Sequence, residues 1–437
     1  MNDVELARVG EELHEFVSRL YPLCRSITGN GVRETLRIIG ERIPLEVFEI
    51  PTGTQVFDWR VPKEWNINGA YIKDSRGRTV VDFADHNLHV VSYSVPVRTK
   101  MSLPELRPHL HSLPEHPDWI PYRTSYYRET WGFCLTHRVL ETLQDGLYEV
   151  VVDSTLQDGS LTYAECVVPG QRDEEILVYT HTCHPSLAND NASGMAVVAM
   201  LAEQVRREKP SLTHRFVFGP GTIGSITWLA HNESKLQRIR HGLVVGLVGD
   251  PAGLTYKSSR DANHVIDRAA RNVVSSYSGA RLEDFAPYGY DERQFCSPGI
   301  NLPVGRLTRS GENRYPEYHS SADDLSLVRP FVLAESLVAC RRILRTVDSD
   351  ARYRSLSPKG EPQLGRRGLY RATGGTELPD WEFALLWVLN QSDGGKSLLG
   401  ISERSGLPFE TIAQAAQELE TAGLLARIDE EVGGALA

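Results

Sequence analysis

The segment THTCHPSLANDNASG (180–194) puts two histidines, a cysteine and an aspartate on one short stretch. It follows the apolar run 176–179, so it lies where a buried strand ends and a helix begins. Imidazole nitrogens together with a carboxylate form a donor set suited to zinc. His181, His184 and Asp190 are therefore candidate ligands. Two other chemistries fit part of the segment. Asn189, Asp190 or Ser193 could cap the following helix, which would leave the histidines without a task. Cys183 beside His184 could be a nucleophile, although such sequence neighbours rarely reach productive geometry and cysteine is often simply buried. A second constellation, RYPEYHSSADDLSLV (314–328), sets His319 between Tyr318 and a Ser-Ser-Ala-Asp-Asp run that could open a helix. Asp291 and Glu292 in YGYDERQFCSPGI are adjacent carboxylates. They could accept a proton or bind a substrate ammonium, the alternative being a solvated loop pair. Lys257-Ser-Ser-Arg260 could hold a substrate carboxylate.

Strands and helices must bring these groups together. Helical spacing marks 6–20 and a second helix after Asn30-Gly31. From 57 to 127, short alternating pieces broken by turn residues and prolines predict a β-rich insert. Strands predicted at 146–152, 161–168, 175–179, 215–218, 242–248 and 302–307 then alternate with helices at 192–207, 223–231, 266–275 and 330–347. This order predicts an α/β domain with a mixed, mainly parallel sheet. The working crevice of such a sheet lies outside the carboxyl ends of its strands, where the histidine-rich segment falls. A polar, Gly-rich linker (355–377) leads to predicted helices at 380–391, 398–405 and 409–422 and a closing strand, the pattern of a winged helix. The expected domains are 1–56 with 128–354, the insert 57–127, and the winged helix 366–437.

Bulk properties narrow the function classes. The chain has 437 residues and a formal charge of −10, which argues against nucleic acid or an anionic membrane as the main partner. The tail from 366 onward carries six Lys and Arg against eleven Asp and Glu, and its would-be recognition helix has no basic residue. Phosphate neutralisation needs the opposite sign. No apolar run approaches the ~18 residues of a membrane span, and the opening residues are acidic and amphipathic rather than leader-like. The six cysteines form no CxxC pair. A cytoplasmic chain is expected, with homo-oligomerisation through the winged helix or the insert.

The "H…NDNASG" run after a buried strand, "GD" after another and YPEYHSSADDLSLV near the domain end resemble the M28 zinc aminopeptidase/carboxypeptidase family. CRSITGNGVRETL (24–36), THTCHPSLANDNASG and PGTIGSITWLA are similar to the bacterial aminopeptidase-like DUF4910 group, which carries a DUF2172-type β insert and a C-terminal winged helix. The resemblance covers nearly the whole chain and implies a phosphorylase/hydrolase-like zinc-peptidase domain. It places a metal-bridging aspartate on Asp190, ligands on His319 and on His181 or His184, and a further carboxylate ligand on Asp250. Tyr318 would hydrogen-bond a tetrahedral intermediate. Two departures stand out. Cys183 replaces an acidic residue that orients the first imidazole, and Gly219-Pro-Gly-Thr-Ile-Gly replaces the paired glutamates that supply a general base and a second-metal ligand. One zinc ion rather than two is implied, and the base must come from elsewhere, with Glu292 beside Asp291 the expected source. The expected function is zinc-dependent hydrolysis of an amide or peptide bond, in a peptide or a small aminoacyl amide. The rival is a non-catalytic or regulatory metal-binding protein that retains the fold. The CRSITGNG run reads as a capped turn between helices.

Overall fold

The computed structural model describes residues 2–369 and 380–428; part of the predicted linker and the last residues of the predicted winged helix lie outside that range. Eight strands form the central sheet. In chain order they are β1 (Glu46–Pro51), β2 (Ser160–Val168), β3 (Arg172–His181), β4 (Leu212–Gly219), β5 (Ile239–Val245), β6 (Thr255–Lys257), β7 (Arg281–Glu283) and β8 (Val304–Thr308). They lie side by side as β1-β2-β4-β3-β5-β8-β6-β7. The middle four, β4-β3-β5-β8, are parallel, while β1, β2 and β6 join by antiparallel pairs.

The parallel centre explains the unbroken apolar run at 176–179. These residues are fully buried, because helices cover both faces of the sheet. Helices Asp3–Leu20, Gly194–Val205, Val265–Val274 and Pro330–Ser349 pack one face. Helix Ile223–Asn232 and aromatic residues of the β-rich insert, Trp65 and Tyr93, pack the other. Helix Gly194–Val205 is apolar nearly all round and is buried accordingly.

The insert is built on a four-stranded antiparallel sheet in the order Thr79–Asp82, Glu64–Lys73, Leu147–Gln157, Val97–Ser102. Strand Leu147–Gln157 follows residue 127 in the chain, yet insert strands flank it on both sides. Strand Arg352–Ser355 likewise precedes residue 366 but lies at the middle of the winged-helix sheet, between Asp393–Ser397 and Leu425–Ile428. The winged helix docks on the main domain through Arg268–Glu403 (2.5 Å), Arg342–Glu410 (2.6 Å) and a hydrogen bond from Asn272 to Ser402 (3.1 Å). The N-terminal turn of helix Phe409–Thr421 thus faces a helix of its own chain. Among the described residues, no helix is long and apolar enough to cross a membrane.

Candidate metal site

His181 ends β3 at the carboxyl edge of the sheet, opposite Gly219 of β4. The next turn carries Cys183 and His184, and the chain then drops into the buried run Ala188–Ser193 before helix Gly194–Val205. Every polar side chain of that run has a task. Asn189 accepts from the backbone of Gly249 (2.8 Å) and Asp250 (3.2 Å). Asn191 donates to Thr180 Oγ1 and to the His181 carbonyl (both 2.9 Å) and accepts from Leu247 N (3.1 Å). Ser193 accepts from Val248 N (3.1 Å). The helix therefore starts with no side-chain cap, and the amide and hydroxyl groups sew the segment to the loop after β5 instead.

This stitching leaves Asp190 for the histidines. Its Oδ1 lies 2.8 Å from His181 Nε2, and its Oδ2 lies 3.1 Å from His319 Nε2 and 3.8 Å from His184 Nε2. The donor atoms of His181, His184 and Asp190 all lie within 4.8 Å of one another. Both histidines of the segment converge on the aspartate, His181 more closely than His184. His181 is buried behind the cluster with the Tyr290 ring 4.4 Å away, whereas His184 and His319 line an open cleft. His319 has φ +56°, a left-handed conformation unusual for a residue with a side chain and costly unless its surroundings impose it. The surroundings do so through the insert: Tyr122 N donates to the His319 carbonyl (2.8 Å), and Ser321 N donates to the Ile120 carbonyl (2.8 Å).

Electrostatics favour a cation here. Burial pushes the Asp190 carboxyl up, but His184, His181 and His319 together outweigh it and hold the group well below the usual carboxylate range. Burial drives His184 down to about 3, in spite of Asp190. A neutral imidazole beside an ionised carboxylate is the form in which both ligate metal. Behind Asp190, the Asp323 carboxylate accepts from the backbone of Asn189 (2.5 Å) and Asp190 (3.0 Å) and from Tyr315 OH (3.1 Å). Burial raises Asp323 to about 8. Imidazole and carboxylate in this arrangement fit zinc.

Other expected site residues lie elsewhere. Asp250 is outside the cluster: its carboxylate is taken up by Asn189 Nδ2 (3.0 Å), Ala252 N (3.0 Å), Ser310 N (3.1 Å) and Ser310 Oγ (2.8 Å). Glu292 is buried in an ion pair with Lys257 (2.8 Å), with Arg306 3.7 Å away, and both hold it ionised against burial. That arrangement removes it from the cleft and also occupies Lys257. Asp291 is buried beneath Tyr290, accepts from Ser225 Oγ (2.7 Å), and is raised well above the ordinary range by burial. Neither carboxylate lines the cleft. Tyr318 does, with its ring stacked 3.9 Å from that of His319. Cys183 is buried, and burial pushes its thiol up to about 12, the opposite of an activated nucleophile. At Gly221, where the strand pattern left no carboxylate, an added Cβ would lie 2.1 Å from the Tyr290 ring. That ring fills the space.

Sequence reasoning missed three contributors. Glu312 lines the cleft and pairs with buried Arg306. Tyr290 roofs His181 and approaches Cys183 Sγ at 3.3 Å. Arg25 of the CRSITGNG run is wholly buried and donates to the carbonyls of His184 (2.9 Å) and Leu20 (2.5 Å). The only available signal for Arg25 was a charged residue in an otherwise small, uncharged run. In the same run Thr28 Oγ1 lies 2.5 Å from Tyr93 OH and accepts from Trp65 N (3.0 Å), so the run ties the insert to the main domain.

The mixed α/β sheet thus carries buried imidazoles and a carboxylate beyond the carboxyl ends of its strands, on a fold similar to that of solved aminopeptidases. The zinc aminopeptidase of Bacillus subtilis superposes with a TM-score of 0.57 over 77% of this chain and 95% of that one, at 11% identity, which shows a shared fold. An M28 peptidase precursor from Shewanella amazonensis superposes with a TM-score of 0.53 over 78% of this chain and 96% of that one, at 14% identity. Residues 14–350 match the family described as "Domain of unknown function (DUF4910)", and the chain belongs to that family. Residues 351–427 match a winged helix-turn-helix. Over 422 residues the chain is 49% identical to a Clostridium acetobutylicum protein named "Putative polysaccharide biosynthesis protein with aminopeptidase-like domain", covering 96% of this chain and 97% of that one. A crystal structure called a "putative peptidase" from the same organism superposes with a TM-score of 0.92 at 48% identity, covering 97% of each chain.

Proposed function

We propose that the chain is a zinc-dependent hydrolase of amide bonds, with an M28-like zinc-peptidase domain and a single metal ion. The observation that carries this reading is the convergence of His181, His184 and His319 on the buried carboxylate of Asp190. Asp190 and His319 would hold the ion, with His184 and His181 completing the donor set. One ion suffices, because Asp250 is engaged elsewhere and the space beside Gly221 is taken by Tyr290. When bound, zinc acidifies a ligated water and polarises the scissile carbonyl.

The chain's own groups do the rest. Among the described residues, Glu312 is the carboxylate that lines the cleft, and we assign it the proton that water loses and the leaving amine gains. Arg306, paired with it, fixes its position. Tyr318, braced on His319, supplies a donor to the developing oxyanion. Glu292 and Asp291 support the wall beneath Tyr290.

A second reading, a metal-binding protein without turnover, is favoured by one observation: the segment 219–224, which carries no carboxylate, has the Tyr290 ring packed against Gly221. Metal analysis of the purified chain, followed by an amide-substrate panel on wild type and His319→Ala, separates the two. Zinc with no turnover on any amide supports the second reading. Absence of bound metal in the wild type would sink the hydrolase.

A further inference from the structure

The cleft in front of His184 and His319 has a volume of about 340 Å³, within the size range of small-molecule sites. Its mouth is aromatic, and the rings are uncovered. Trp59, Tyr127 and Tyr288 line it with 46%, 58% and 68% of their surface exposed. Trp59 and Tyr127, both from the insert side, stand with ring centroids 5.3 Å apart. Large exposed aromatic surface clustered at a concave site marks a ligand that covers it.

Charge decides what kind of ligand. A peptide with a free amino terminus needs an unpaired carboxylate for its ammonium group, since a charge taken from water must be paired. Among the described residues, the cleft offers no unpaired carboxylate. Glu312 is tied to Arg306, Asp291 and Glu292 are buried away from the cleft, and exposed Arg293 adds a positive charge to the lining. The site is therefore built for an amide with no neighbouring ammonium, attached to a body that stacks on aromatic faces and hydrogen-bonds through hydroxyls. Pyranose rings do both: their C–H faces lie on the electron-rich faces of aromatic rings, and their edges carry hydroxyls.

We infer that the cleft takes an N-acylated amino sugar, its ring laid on the exposed surface that Trp59 and Tyr127 form together and its amide directed at the His184–Asp190–His319 cluster. Resting on the hydrolase reading, the reaction is deacylation. Water adds its oxygen to the acyl carbon, the carbon–nitrogen bond breaks, the acyl group leaves as a carboxylate, and the sugar nitrogen takes both protons of the water and leaves as an ammonium.

The test is calorimetric titration of the zinc-loaded full chain with N,N′-diacetylchitobiose and, separately, with leucine amide. Acetate and ammonia release are assayed in parallel. The inference expects saturable binding of the sugar, weakened about tenfold in Trp59→Ala and in Tyr127→Ala, and little binding of leucine amide. If leucine amide binds and is hydrolysed while the sugar does not bind, the sugar inference is overturned and the hydrolase reading stands. If the sugar binds in a Trp59-dependent way but neither compound is cleaved, the sugar site stands and the hydrolase reading is overturned. Sugar binding unchanged in both variants would also overturn the inference.

Discussion

Arg25 and His184 lie 159 positions apart in the sequence, yet the buried guanidinium of one donates to the backbone carbonyl of the other at 2.9 Å. A second bond runs from the same guanidinium to the Leu20 carbonyl (2.5 Å), so helix Asp3–Leu20 and the histidine segment share one anchor. We predict that Arg25→Ala lowers zinc affinity by about 10–100-fold, the usual effect of removing a group that orients a ligand. It should also cost roughly 2–4 kcal/mol of stability through orphaned carbonyls and a cavity. Competition with a chelator and urea unfolding check the two effects. A folded variant with unchanged zinc affinity would remove Arg25 from the metal site.

Asp190 is the common partner of three histidines, so it should dominate metal binding. Asp190→Asn is expected to abolish stoichiometric zinc, while His319→Ala should reduce affinity and leave some metal bound through the buried histidines. Zinc should raise the midpoint of thermal unfolding in the wild type and not in Asp190→Asn, because a ligand stabilises only a state that binds it. Elemental analysis and thermal scans with and without chelator read both outcomes.

Glu292 and Glu312 should separate by the kind of damage they cause. Glu292→Gln leaves Lys257 with a weakened partner in the protein interior and should destabilise by about 3–5 kcal/mol. Glu312→Gln should lower kcat by about 10²–10⁴-fold with metal content unchanged. Equal kcat for wild type and Glu312→Gln would withdraw the proton-acceptor role.

His241, on β5 and far along the strand from the metal site, gives a pH signature. Burial, aided by His264, Arg172 and Arg240, lowers it from 6.5 to about 4. Between those values the unfolded chain takes up a proton that the folded chain refuses. The stability held by neutral His241 is thus complete above pH 6.5 and is lost as pH falls toward 4, by about 1.4 kcal/mol per pH unit at most. His241→Gln should flatten that acid limb in urea unfolding measured across the window. An unchanged slope would mean that other groups set it.

Much of this architecture was legible because parallel strands are apolar throughout and the helices between them are strongly periodic. The runs at 176–179 and 242–245 stand out for that reason, and the candidate ligand His181 falls at a strand end. The edge strands Thr255–Lys257 and Arg281–Glu283 are three residues each, too short to show a period. Strands Leu147–Gln157 and Arg352–Ser355 were placed by partners distant in the chain, which local pattern does not report. The same limit explains Glu292. Its carboxylate next to Asp291 looked available, but Lys257 and Arg306 come from β6 and β8, and only the sheet brings them to it. Glu312 shows no motif at all, and the cleft alone picks it out.

With an ion on His319, the clamp of residues 120–122 on its loop would make ion capture and insert docking two faces of one equilibrium. Tyr122 holds the His319 carbonyl, and Ile120 exchanges hydrogen bonds with Ser321 in both directions. By linkage, whatever free energy the docked insert adds to zinc binding, zinc returns in equal measure to docking. Amide hydrogens at Tyr122 and Ser321 should therefore exchange more slowly when zinc is added, although neither residue is a candidate ligand. The insert, which supplies no ligand, would then act as the latch that decides how long the metal stays.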